Sequence, residues 1–299
     1  MTLDQLRIFV AAAERGHLTQ AAQALGLTQS AASAAVAALE ARHDVKLFHR
    51  VGRGIELSDA GRNFLPSAKQ ALESAARAQR ALDDLAGLKG GEIRIFASQT
   101  LANAWAPPRL AAFAQAYRDI RISVTATNTD GVARAVRDGE ADFGLVEGEV
   151  PSESLIKFRL GGDRLSLYAS AEHPLARRAR LEAADVVRAR YILREAGSGT
   201  RAEFESVMAK LGVAETDLDV LLTLPSTEAV LAALDGANAL APASDLAAAP
   251  FTAMGRIVRL PFDLSERHFT LLQHPDRPPG AAARKLIDDY FQPQRLFQT

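Results

Sequence analysis

The chain has 299 residues, 48% of them hydrophobic, with 35 Lys and Arg against 36 Asp and Glu and no cysteine. That length suggests two or more domains, while a net charge of -1 excludes bulk basicity, so any nucleic-acid surface has to be local. The absence of cysteine excludes disulfides and thiolate-held zinc, and no apolar run reaches the ~18 residues of a membrane span, so a cytoplasmic protein with no membrane partner is expected.

Leu3, Leu6, Phe9, Val10 and Ala13 fall at helical spacing and predict a first helix ended by Gly16. A second, short helix is expected from Leu18 to Leu25, with Ala21, Ala22 and Leu25 facing inward and Gly26 taking the tight turn after it. Thr28 is placed to cap a third helix over about Gln29 to Arg42, held on its inner side by Ala32, Val36 and Leu39. Two helices around so short a turn have the spacing of a helix-turn-helix. Val45 to Leu57, around Gly52-Arg53-Gly54, predicts a two-stranded wing.

Helical spacing returns after Ser58, a capping residue. Leu65, Ala68, Leu72, Ala75, Gln79 and Leu82 form a narrow seam on one long helix, and its length favours packing on a partner helix over packing on its own domain. Gly87, Gly90 and Gly91 mark a boundary. Strands at 92 to 97, 120 to 126 and 142 to 146 then alternate with helices at about 101 to 117 and 130 to 138, which argues a mainly parallel sheet. A second such unit runs through Leu165 to Ala169, Tyr191 to Arg194, Val220 to Leu222 and Asn238 to Ala241, with helices after Gly199 and Ser226. Further strands at 256 to 260 and 268 to 272 and a last helix at about 280 to 291 suggest that the chain returns to its first subdomain, leaving two lobes and a cleft.

On the presumed recognition helix, Thr28, Gln29, Ser30 and Ser33 present polar groups from the first turn, with Gln20 on the helix before it. Gln29 is the best base reader, since a carboxamide pairs bidentately with adenine. Arg50 and Arg53 flank the wing glycine and can meet phosphates or the minor groove. From Met1 to Ser58 the bases Arg7, Arg15, Arg42, Lys46, Arg50 and Arg53 outnumber Asp4, Glu14, Glu40, Asp44 and Glu56 by one, so affinity has to be multiplied by pairing two chains.

The run LDQLRIFVAAAERGHLTQAAQALGLTQSAASAAVAALEARHDVKLFHRVGRGIELSDAG resembles the DNA-binding domain of LysR-type transcriptional regulators. Phe9, Gly16, Ala21-Ala22, Leu25, Gln29-Ser30, Ser33, Leu39-Glu40, Leu47-Phe48, Arg50 and Ala60-Gly61 carry the match. The resemblance implies a multi-domain α/β protein: a winged helix-turn-helix over 1-58, a dimerising linker helix over 59-89, and a two-lobed, periplasmic-binding-protein-like effector domain over 90-299. The lobes are expected at about 91-161 plus 266-293 and at 162-265. It also implies a homodimer or homotetramer, formed through the linker helix and effector domain, that binds an interrupted palindrome in double-stranded DNA. Two departures stand out: Ala34-Ala35-Val36-Ala37 lacks the Gln, Arg or Lys common there, and Asp44 replaces a usual glycine, which predicts backbone strain without a change of fold.

Arg194-Glu195-Ala196-Gly197-Ser198-Gly199-Thr200-Arg201 lies between a predicted strand and helix, and its small residues can form an anion nest at the helix N-terminus. It lacks the ending of a phosphate-binding P-loop and the G-x-S-x-G elbow of hydrolases. Candidate effector-binding residues are therefore Arg194, Ser198, Gly199 and Thr200, joined by residues at other strand ends: Ser98, Gln99, Thr100, Asn128, Thr129, Glu147, Gly148 and Ser226. The Arg-Glu-x-Gly-Ser-Gly-Thr-Arg run with Ser98-x-Thr100 resembles the branch of the family that senses small anions or phosphorylated metabolites, so an anionic effector is expected. Glu147 would repel such a ligand unless it stays at the rim or pairs with an arginine. The six scattered histidines form no metal-ligand spacing, so neither a metal nor a cofactor is expected. A solute-binding receptor would need an export signal and no helix-turn-helix, and an enzyme would need a nucleophile and base pair that is not evident.

Overall fold

Thr2 opens the first helix by a capping box: its hydroxyl accepts from the Gln5 amide at 3.2 Å, and the Gln5 side chain accepts from the Thr2 amide at 3.0 Å. The computed structural model describes residues 1-52, 54-85, 91-148, 150, 154-292 and 294-295, and its contacts divide the chain into units of Met1–Leu85 and Ala86–Thr299. In the first unit α1 (Leu3–Arg15) ends at Gly16, with φ +61°, and α2 (Leu18–Ala24) leads through Gly26, with φ +67°, to α3 (Gln29–His43). Leu6, Phe9, Ala12, Ala21, Ala32, Val36 and Leu39 are buried where the three helices meet. Leu3 and Leu25, expected on the inner stripes, are exposed; Leu25 is the residue that caps the end of α2, where the chain already swings away from the core.

The wing is an antiparallel hairpin of β1 (Phe48–Val51) and β2 (Gly54–Leu57), with Arg50 opposite Ile55. The Ile55 amide donates to the Gly16 carbonyl at 2.9 Å and ties the hairpin to the end of α1. Arg53 lies outside the described residues, as do Gly87 and Gly90. The long helix α4 (Asp59–Leu85) starts at Ser58, whose hydroxyl accepts from the Gly61 amide at 2.9 Å and donates to the Lys46 carbonyl at 2.6 Å. A Cβ at Gly61 would overlap the Leu47 carbonyl, so only glycine lets α4 approach the wing this closely. The seam divides: Leu65, Ala68 and Leu72 pack against the core of Leu6 and Phe9 in their own unit, whereas Leu82 is 62% exposed. The earlier part of the seam thus covers a three-helix core too small to close by itself.

The second unit begins with β3 (Gly91–Ser98), a π-helical turn over Leu101–Trp105, α5 (Pro107–Ala116), β4 (Ile120–Thr127), α6 (Thr129–Asp138) and β5 (Phe143–Glu147). Then come β6 (Ile156–Ser170), α7 (Ala183–Val187), β7 (Arg190–Arg194), α8 (Gly199–Lys210), β8 (Asp219–Leu224), α9 (Thr227–Ala233) and β9 (Leu240–Ser244). The chain closes with α10 (Asp245–Ala253), β10 (Ile257–Gln273), α11 (Ala281–Leu286) and the short β11 (Gln294–Arg295). One curled mixed sheet results, in the order β4-β3-β5-β10-β6-β9-β7-β8, with β11 beside β6. β3 pairs in parallel with β4 and β5, as β7 does with β8 and β9; antiparallel β6 and β10 join the two halves.

The separate short strands expected at 165-169, 256-260 and 268-272 are parts of these two long ones, of 15 and 17 residues. The polar stretch Asp263–His268 interrupts the apolar alternation, so the pattern reads as two strands, while the backbone crosses it with register shifts near Asp263 and His268. Ile93, Phe113, Phe143, Phe269, Leu286 and Phe291 share one core and Leu167, Tyr191, Phe204 and Leu240 another; β6 and β10 contribute to both. No helix among the described residues is long and apolar enough to cross a membrane.

Asp44 holds the left-handed conformation, φ +50°, that ends α3. Because that conformation costs a non-glycine residue about 1–2 kcal/mol and glycine gives part of it back as chain entropy, Asp44→Gly should stabilise the chain by roughly 0.5–1 kcal/mol in urea unfolding. An unchanged midpoint would mean that Asp44 carries no strain.

Candidate functional site

In the first unit the exposed polar groups collect at the start of α3. The Thr28 hydroxyl accepts from the Ala31 amide at 3.3 Å and shares a hydrogen bond with Ser30 at 3.1 Å, leaving Gln29 and Ser30 exposed on the first turn. Gln20 on α2 and Arg50 on β1 are exposed, and Ser33 is half-buried. The residue that positions the wing against α3 is Glu40, which the sequence reading gave no role. Its carboxylate accepts from the Leu47 and Phe48 amides at 2.8 and 3.3 Å and from the Lys46 ammonium at 2.7 Å. Burial disfavours its charge, but the lysine and the two amides outweigh burial and hold its pKa below the ordinary glutamate value.

In the second unit the strand ends bring together some of the expected residues and separate others. Ser98, at the end of β3, donates to Glu147, at the end of β5; Thr200, on the first turn of α8, donates to the same carboxylate at 3.3 Å. All three are buried. At the centre is Arg267, which the sequence reading missed. Its guanidinium grips Asp163 at 2.6 and 3.0 Å, donates to Thr200 at 3.0 Å and Thr100 at 3.5 Å, and lies 3.9 Å from Glu147. Burial opposes the charge on Arg267, but Asp163 and Glu147 outweigh it and raise its pKa. Asp163 also accepts from Ser244. Glu147 is thus buried beside an arginine, 3.9 Å from the Arg267 guanidinium.

The remaining candidates are arranged around this network. Asn128 caps α6, accepting from the Gly131 amide at 2.9 Å, and its amide nitrogen donates to the Ala196 carbonyl at 3.4 Å. Ser198 caps α8 and Ser226 caps α9. Gly199 is required: a Cβ there would stand 2.7 Å from the Thr129 hydroxyl, a buried group with no hydrogen-bond partner in the described structure. Gly148 takes φ +75° and donates to the His268 carbonyl at 3.0 Å. Arg194 is held apart from Arg267: Glu195 binds it at 2.8 Å through both oxygens, and it donates to Thr227 at 2.9 Å. Gln99 accepts from Asn103 at 3.1 Å, which also reaches Glu228 at 2.8 Å. Among the described residues no cluster could hold a metal ion.

Glu40→Gln should cost about 1–2 kcal/mol at neutral pH, where the folded state prefers the ionised acid. Since the folded pKa is lowered, that advantage is present above the unfolded value and is lost as pH falls through the folded one, so melts of the two proteins should converge in acid. A gap that persists there would assign the cost to something other than charge. Arg267→Met leaves the Asp163 and Glu147 carboxylates buried without their cation and should cost roughly 3–5 kcal/mol, part of which Asp163→Leu recovers in the double variant. Strict additivity in urea unfolding would show that the two residues are not coupled.

Residues 3-62 match the family model for bacterial regulatory helix-turn-helix proteins of the lysR family, and residues 86-290 match the LysR substrate binding domain. The chain is 30% identical over 287 residues to a probable RuBisCO transcriptional regulator of Trichormus variabilis, covering 94% of this chain and 85% of that one. Its fold is similar to full-length CbnR complexed with its target DNA, at 21% identity and a TM-score of 0.70, covering 97% of this chain and 99% of that one. The regulatory domain of Synechocystis PCC6803 CcmR in complex with 2-PG is also similar, at 23% identity and a TM-score of 0.62, covering 68% of this chain and 96% of that domain. Two matched models that together span most of its length show that this chain belongs to the LysR family, as a DNA-binding transcriptional regulator and not an enzyme.

Proposed function

We propose that this regulator reads an interrupted palindrome in double-stranded DNA as a homodimer or homotetramer in the cytoplasm, and that a small anionic effector in the cleft of its second unit alters that grip. The observation that carries the reading is the first turn of α3, where Gln29 and Ser30 are exposed on a helix whose opposite face is fixed in the core. A carboxamide there suits adenine in the major groove, while Gln20, Thr28, Ser33 and Arg50 are suited to phosphates or neighbouring base edges. Arg53, outside the described residues, would join Arg50 on the wing side. The exposed later part of α4, with Leu82, suits a partner helix, and two chains would double a DNA-facing charge that is small in one.

For the effector, Arg267 and the hydroxyls of Ser98, Thr100, Thr129 and Thr200 are donors around one point, with the N-termini of α6 and α8 beside them. Asn128, Gly148, Ser198, Gly199 and Ser226 shape the surrounding loops, with Gln99 and Arg194 at greater remove. An anion would compete with Asp163 and Glu147 for Arg267, so binding would exchange one set of charge-assisted bonds for another. That exchange is a differential contact able to bias two states of the domain, by about 1–3 kcal/mol in typical couplings. The CcmR complex with 2-PG supports an anion as the class to try first.

Selection from a random DNA pool should enrich a two-part palindrome whose affinity falls steeply with salt, and Gln29→Ala should lose about 1–3 kcal/mol of discrimination at one base position in each half. In the same titrations, Thr200→Val should abolish the response to an anion that shifts the wild type, with basal DNA binding intact. Unaltered base preference in the first variant, or a normal response in the second, would remove that residue from its role.

A further inference from the structure

Beyond the Arg267 network, the two parallel halves of the second unit also touch at two more exposed places. At the first, Asn103, exposed on the turn after β3, donates its amide to Glu228 on the first turn of α9 at 2.8 Å and to Gln99 of its own half at 3.1 Å. At the second, the loop after β7 meets the start of α6: the Asn128 side chain donates to the Ala196 carbonyl and the Asp130 amide to the Gly197 carbonyl, each at 3.4 Å. The approach is close enough to demand glycine. Gly197 takes φ +83°, and a Cβ there would stand 2.9 Å from the Asp130 carboxylate and 3.2 Å from the Asn128 nitrogen.

Both contacts are anchored in the second half by the same residue. Arg194 is buried at the end of β7. Its guanidinium is held by both oxygens of Glu195, the residue that leads to Ala196 and Gly197, and it donates at 2.9 Å to Thr227, the residue before Glu228. Arg201 on α8 donates to the Arg194 carbonyl at 3.2 Å and fixes its backbone as well. One guanidinium therefore sets both the loop that reaches α6 and the helix turn that reaches Asn103. The planar, forked geometry of arginine suits such a role, because it holds two partners at a fixed angle.

We propose that Asn103 and Glu228 form one latch across the cleft, that the 195-197 loop and the start of α6 form a second, and that Arg194 is the positioning residue that makes the two open and close together. The inference rests on the cleft being the effector site: a ligand has to pass between the halves, so the latches set how often the cleft admits or releases it. Exposed hydrogen bonds suit that task, since each contributes little net free energy and water replaces it readily, whereas the buried Arg267 pair keeps the strands in register throughout.

Hydrogen exchange of the ligand-free, full-length protein, read by mass spectrometry, tests this without any effector. Asn103→Ala removes a bond from the first contact only. The expected result is exchange about three- to tenfold faster at the second contact, in residues 128-132 and 195-200, with β6 and β10 unchanged. Glu228→Gln keeps an uncharged acceptor and should show a smaller increase, and Arg194→Met should show the increase at both contacts at once. Faster exchange confined to residues 99-105 and 226-230 in Asn103→Ala would make its bond a local one, and no change anywhere would leave it without weight; either result overturns the latch. Should Arg194→Met fail to fold, judged by circular dichroism, the Asn103 and Glu228 variants still decide. The effector reading stands or falls separately, on the anion response of Thr200→Val.

Discussion

Two strands have to run through both halves of the effector-type domain, and everything around the cleft depends on their staying in register. Asp163 on β6 and Arg267 on β10 face each other directly across the ladder at the point where the halves meet. A slip of one residue would turn one of them to the opposite face of the sheet and leave two buried charges unpaired. A buried ion pair contributes little net stability compared with an apolar pair of the same volume, so its effect here is best understood as specificity of register. From that fixed point Arg267 reaches Thr100 on one side and Thr200 on the other, and so bridges the end of the first parallel half and the start of a helix in the second.

The DNA-binding unit solves a related problem with fewer residues. Its helices bury mostly alanine and leucine, with Phe9 the largest fully enclosed side chain, which is little core for a hairpin and a long helix to rest on. Glu40 supplies the missing constraint by holding two amides and an ammonium at the start of the wing, and Ser58 holds the end of the wing to the start of α4. The exposed polar turn of α3 is thereby presented from a fixed frame. Specific recognition needs that, because a base-reading side chain displaced by about an ångström loses its bidentate geometry.

The crossover has two faces with different electrostatics. Inside, hydroxyls and one guanidinium surround two carboxylates; next along the same strands, the exposed Arg164 and Glu266 pair with each other at 3.0 Å. Asp163 and Arg267 belong to the inner one, where their side chains are almost fully buried.

Much of the architecture was already determined by the sequence. The helix-turn-helix, the wing and the alternation of strands and helices follow from apolar spacing, from Thr28 and Ser58 as caps, and from Gly16 and Gly26 as stops, all of them local signals read over a few residues. The strand-end candidates were legible too, since ligand loops lie at the carboxyl ends of parallel strands. Tertiary structure alone decided the rest. Arg267 sits in a polar run that reads as a break between two strands, and only pairing with β6, 104 residues away along the chain, makes it the centre of the cleft. Glu40 read as one more matching residue on a helix until the chain folded back to place the Leu47 and Phe48 amides beside it. The seam of α4 looked like one surface for a partner, and the fold divided it because Leu6 and Phe9 needed covering. In each case the deciding partner is distant in sequence, and periodicity carries no information about which distant group will satisfy a buried charge or an uncovered core.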